Sequence, residues 1–95
     1  MENISTNLMD QTKLILDEAL FLNGRTKDWT SQMPLLGNIP ELDSMAVMNV
    51  VAGLEGHFEI FMEDEEINAE VFATLQTLTH YIYQKLNLNY LSPIA

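Results

Sequence analysis

The chain is expected to be all-α, a small four-helix bundle of three longer helices and one short one, with a long loop between the first two. Three observations lead there. Apolar residues recur at steps of three, four and seven in three separate stretches, the spacing that gathers them on one face of a helix. Neither strand pairs nor internal repeats stand out. Hydrophobic residues make up 47% of the 95 residues, ordinary for a folded domain and too high for a disordered acidic tail.

The first helix is expected from Ile4 to Leu22, with Ile4, Leu8, Ile15, Ala19 and Leu22 on one face. Asn3 or Ser5 can cap its start, and Gly24 suits a left-handed residue just past its end. From Asn23 to Asp43 the periodicity fails, and Gly24, Pro34, Gly37, Asn38 and Pro40 punctuate a loop of 21 residues. Loops that long are uncommon in compact domains. Trp29, Met33, Leu35, Leu36, Ile39 and Leu42 lie within it, so it should lie down over the core.

The second helix is expected from Ser44 to His57, with Val47, Val50, Val51, Leu54 and Phe58 in one narrow arc. Met45, Met48 and Ala52 fall off that arc, an apolar flank suited to docking. After the acidic run Glu63-Asp64-Glu65-Glu66, Asn68 can cap a short helix through Phe72, and Thr74 can cap a last helix from Leu75 to Leu86. Leu75, Leu78, Thr79, Ile82 and Leu86 then face inward. The expected organisation is a single domain over residues 1–95, with its core at about 4–87 and a tail at 88–95.

Charge and cysteine usage narrow the function classes. The chain has 14 Asp and Glu against 4 Lys and Arg, net -10, and no Lys or Arg lies between Lys27 and Lys85. That balance argues against nucleic acid and anionic membrane surfaces, which need basic side chains. Basic protein surfaces fit better. There are no cysteines, so any thiol chemistry requires a cofactor. The N-terminus lacks the basic start and apolar run of a signal peptide, and no stretch is long enough to span a membrane. A cytoplasmic monomer is the expectation.

Ser44, between the long loop and the second helix, is the residue of most interest. Ser and Asp are both preferred N-caps, so Leu42-Asp43-Ser44 before an apolar helix is explained by capping alone. A presented hydroxyl at this junction is equally an attachment point, and local pattern does not choose between the two. Catalysis is a poor alternative. Ser44 is not in a Gly-x-Ser-x-Gly elbow, and His57, thirteen residues on, lies about 20 Å away along an unbroken helix. His57 and His80 are expected at the surface or its boundary. The acidic run lacks the alternating ligands and central glycine of a calcium loop, so no metal site and no catalytic residue are expected. The six methionines read as core filler and edge contacts.

The order Asp43-Ser44-Met45, then Leu54-Glu55-Gly56-His57-Phe58, Asp64-Glu65-Glu66, Phe72 and Tyr81-Ile82 resembles an acyl carrier protein over roughly Leu8 to Leu86. Met45 stands where the family's Asp-Ser-Leu signature has leucine. The resemblance implies that Ser44 carries a phosphopantetheine arm, added from coenzyme A by a separate phosphopantetheinyl transferase, whose thiol holds acyl cargo as a thioester. Asp43 would support that attachment. A helix start suits it, because the backbone N–H groups and dipole favour phosphate charge. Met45, Met48, Ala52 and Glu55 would form the face for acyl-loading and acyl-transfer enzymes with basic or apolar docking surfaces. Ala46 and Asn49 depart from the family, which often has acidic residues at those two positions, so specialised partners are implied. The wording Pro34-Leu35-Leu36-Gly37 and Ile39-Pro40-Glu41-Leu42-Asp43-Ser44-Met45-Ala46-Val47 resembles stand-alone carriers associated with bacterial exopolysaccharide or exosortase clusters. The alternatives are an unmodified helical interaction module using the same face, and a carrier of aminoacyl cargo.

Overall fold

The computed structural model describes the backbone of residues 4–91 and the side chains of 8–87. Three α-helices carry the fold: α1 (Ile4–Leu20), α2 (Ser44–Phe58) and α3 (Leu75–Leu91), with 3-10 turns at Arg25–Asp28 and Asp64–Glu66. α1 packs against both α2 and α3. Leu16, Val50, Leu54, Leu75, Leu78 and Ile82 meet at the centre with no exposed surface, and burying each such side chain stabilises the fold by about 1.5–3 kcal/mol.

The inward faces of α2 and α3 follow the expected spacing, although Val47, Phe58 and Leu86 are only partly buried. On α1 the buried set is wider than expected and includes Thr12, Leu16 and Leu20. Thr12 turns its hydroxyl back onto the Leu8 carbonyl at 2.8 Å, so its own buried oxygen is satisfied. Gly53 sets the α1–α2 approach: a Cβ there would lie 3.0 Å from Ile15 Cγ2.

Both α1 and α2 end in the same way without glycine. The Leu22 N–H reaches back to the Asp17 carbonyl at 3.0 Å, and the Ile60 N–H to that of Glu55 at 3.3 Å. Phe21 (φ 54°) and Glu59 (φ 56°) occupy the intervening left-handed positions, the arrangement in which glycine is usual. Gly24 is therefore not the end of α1. It is left-handed (φ 86°) at the start of the first 3-10 turn, and its N–H donates to Asp17 Oδ1 at 3.1 Å.

The expected long loop is broken up. After the first 3-10 turn, Leu35, Ile39 and Leu42 sink into the core, while Leu35 N–H donates to Ala73 O and Leu75 N–H to Met33 O, each at 2.9 Å. This pairing also explains a correction. The short helix expected at 68–72 is a single turn: Asn68 Oδ1 accepts from Val71 N–H at 2.9 Å and Phe72 N–H reaches Asn68 O at 3.2 Å. There the backbone turns to pair with the 31–36 segment instead of continuing as a helix. Thr74 caps α3 as expected, accepting from Thr77 N–H at 3.1 Å. α3 runs on to Leu91, so residues 88–91 of the expected tail at 88–95 are helical, and the rest of it lies outside the described residues. The expected cap Asn3 and the side chains of Ile4 and Ser5 lie outside the described residues. No described helix is long and apolar enough to cross a membrane.

Candidate functional site

At the start of α2 the two capping candidates separate. Asp43 is the N-cap, extended at φ -99° and ψ -175°, and its Oδ1 accepts from Ala46 N–H at 2.8 Å. Ser44 is the first helical residue and is exposed. Its hydroxyl makes no hydrogen bond among the described residues. The fold therefore draws no stability from that hydroxyl, and capping does not account for it.

The turn that delivers Asp43 and Ser44 is fastened from below and from the side. Leu42 is buried and its N–H donates to Ile39 O at 2.9 Å. Arg25 forms a salt bridge with Glu41, and its Nε–H donates to the Leu22 carbonyl at 3.3 Å. The Arg25 hydrogen bond holds the Glu41 carboxyl below its ordinary range. Arg25 in turn sits on a turn organised by Asp17, whose carboxylate accepts from Gly24 N–H and from both the N–H and the hydroxyl of Thr26. The sequence carries no sign of the Arg25–Glu41 link, because the two stand sixteen positions apart in aperiodic chain.

Past Ser44, one side of α2 presents Met48, Ala52, Met45, Gly56 and Asn49 in an exposed arc of about 100° at 100° per residue. Met45 is 78% exposed and Met48 54%. Glu55 lies at the edge of the arc, half-buried, with Oε2 accepting from Met62 N–H at 2.9 Å. Its carboxylate ties the chain leaving α2 to the helix.

The acidic run is organised by one residue. Glu66 Oε1 accepts from Glu63 N–H at 2.9 Å, from the Tyr81 hydroxyl at 2.8 Å and from Lys85 Nζ at 3.1 Å. The Glu63 N–H leads the contacts that hold the Glu66 carboxyl below its ordinary range, with Tyr81 and Lys85 adding to it. Burial, reinforced by Glu66, pushes the Tyr81 phenol well above its ordinary range. Among the described residues no group of three His, Asp or Glu could hold a metal ion. His57, at the far end of unbroken α2, pairs its Nε2 with Gln11 Oε1 at 2.9 Å, and His80 is exposed on α3. Neither histidine is brought to Ser44 by these positions.

Over 83% of its length the chain is similar to the holo acyl carrier protein of Nitrosomonas europaea, known from a solution NMR structure. The match covers 95% of that chain at 43% identity, with a TM-score of 0.78. No protein-family model matches, nor does any curated protein.

Proposed function

Because the chain belongs to the acyl carrier protein family, we propose that Ser44 carries a phosphopantetheine arm whose thiol holds acyl cargo as a thioester. The observation that carries this reading is the division of labour at the start of α2: Asp43 caps the helix, leaving an exposed, unengaged hydroxyl at Ser44. In the attachment step Ser44 Oγ forms a new bond to the phosphorus of coenzyme A that bears the pantetheine. The pyrophosphate bond breaks, adenosine 3′,5′-bisphosphate leaves, and the hydroxyl proton passes to a base on the transferase. The first-turn N–H groups and the positive helix end favour the resulting phosphodiester anion. Asp43 supports the step by holding the first turn in place.

In this reading the chain is not an enzyme. One domain over residues 1–95 acts as a cytoplasmic monomer, exchanging cargo between acyl-loading and acyl-transfer enzymes that dock on Met45, Met48, Ala52 and Glu55. The wording from Pro34 to Val47 supports a stand-alone carrier of the exopolysaccharide or exosortase type. Incubation with coenzyme A and a broad-specificity phosphopantetheinyl transferase tests the assignment. Intact mass should rise by one phosphopantetheine in the wild-type chain and not in Ser44→Ala. An unchanged wild-type mass, or a gain that persists in Ser44→Ala, refutes it.

A further inference from the structure

Serine and aspartate cap helices about equally well, so the start of α2 has two registers open to it. In the register observed Asp43 is the cap. Its Oδ1 accepts from Ala46 N–H at 2.8 Å, its carbonyl accepts from Val47 N–H at 2.9 Å, and the Ser44 hydroxyl is left free. If the helix began one residue later, Ser44 would be the cap. Its oxygen would then accept from the N–H of Ala46 or Val47, two or three positions on, and the hydroxyl would be withdrawn from chemistry. Capping strength does not separate the two registers, so the turn before Asp43 has to.

That turn has a single outside tie. Among the described residues, the Arg25–Glu41 salt bridge is the only hydrogen-bonded link from residues 40–44 to anything but the preceding turn and α2 itself. Its far end is firm. Asp17, in the last turn of α1, accepts from Gly24 N–H and from the Thr26 hydroxyl, each at 3.1 Å, and Thr26 is buried. Arg25, between them, also donates its Nε–H to the Leu22 carbonyl. The near end is committed as well. Glu41 Oε1 is buried without a partner, so the carboxylate either keeps Arg25 or must turn out to water, moving the turn with it. The two side chains are 55% and 37% exposed, and a pair so exposed adds little to folding stability. A weak interaction is still enough to decide between states of nearly equal energy.

We infer that Arg25 is a positioning residue for attachment at Ser44: acting through Glu41, it holds the turn in the register where Asp43 caps α2 and the Ser44 hydroxyl stays free. The inference rests on the carrier reading of Ser44. It gives a surface ion pair a role in presenting the attachment site in place of one in holding the fold.

The test uses the full chain, coenzyme A and the broad-specificity phosphopantetheinyl transferase, measuring kcat and KM for the carrier alongside Tm and amide hydrogen exchange. Arg25→Ala and Glu41→Ala should each lower kcat by about fivefold or more, as the fraction with a free hydroxyl falls. KM should stay within about twofold and Tm within about 5 °C of wild type. The double substitution should be no slower than the slower single one, because the two residues act as one unit. Exchange at the Ala46 amide, whose acceptor is Asp43, should quicken in Arg25→Ala while that at Leu54 does not. An Arg25→Ala chain that keeps its kcat, that raises KM instead, or that slows only by melting further below wild type overturns the inference. So do losses that multiply in the double substitution, or unchanged exchange at Ala46. All of these leave the mass gain at Ser44 intact, whereas failure of the wild-type mass gain overturns the carrier reading and the inference with it.

Discussion

Asp43→Ala and Ser44→Ala, adjacent substitutions at the start of α2, should have opposite consequences. Asp43→Ala removes the acceptor that takes the Ala46 N–H at 2.8 Å, leaving that donor to water, and also removes a negative charge from the positive end of the helix. Loss of an N-cap costs about 1 kcal/mol, within a range of roughly 0.5–2, and loss of the charge adds about 0.3–1 kcal/mol at low salt. A domain of this size loses about 4–8 °C of Tm per kcal/mol, so Asp43→Ala should melt about 5–16 °C below wild type. Ser44→Ala removes an exposed hydroxyl with no partner and installs the best helix former, so its stability should stay within about 0.5 kcal/mol of wild type. Asp43→Asn keeps an acceptor of equal capping quality and should recover most of the loss. Thermal melts followed by circular dichroism, paired with the transferase assay, read both effects. A Ser44→Ala chain that melts as low as Asp43→Ala would show that Ser44 is the cap, and the division of labour at this helix start would fail.

Glycine should be better than the native residue at the left-handed end of α1. Phe21 is 82% exposed, so Phe21→Gly should raise stability by about 0.5–1 kcal/mol in urea unfolding by removing the Cβ penalty; a loss would mean the ring packs in solution. Gly53→Leu should destabilise by about 1–3 kcal/mol, since its side chain must enter space held by Ile15, and a neutral result would refute the close α1–α2 approach. The Glu66 carboxyl is held below its ordinary value in the folded chain, so its contribution is present above the unfolded value and fades as pH falls through the folded one. The stability gap between wild type and Glu66→Gln should thus be widest near neutral pH and close at strongly acid pH; a gap that does not vary with pH would contradict the Glu66 network. Leu54→Ala, at a site with no exposed surface, should cost about 2–5 kcal/mol.

The helices were legible because their evidence is local. Val50, Val51 and Leu54, and likewise Leu75, Leu78 and Ile82, repeat at helical spacing, and Asp43 and Thr74 are cap residues standing where caps are needed. The expectation failed where distant chain decides. Residues 68–72 have a cap and a buried Phe72, yet they stop after one turn as the neighbouring backbone pairs with 31–36. Gly24 looked like the end of α1, but Asp17 recruits it for the next turn and leaves the left-handed position to Phe21.

The same boundary runs through the site. The sequence by itself determined that an Asp-Ser pair opens an apolar helix and that no cysteine is available, because residue types and short spacings are properties of the chain alone. Which of the pair caps was decided by backbone geometry, since Asp43 takes the extended conformation from which its carboxylate reaches the Ala46 N–H. The anchoring of that turn by Arg25 belongs to the tertiary structure. It depends on what residues far along the chain bring near once the helices have packed.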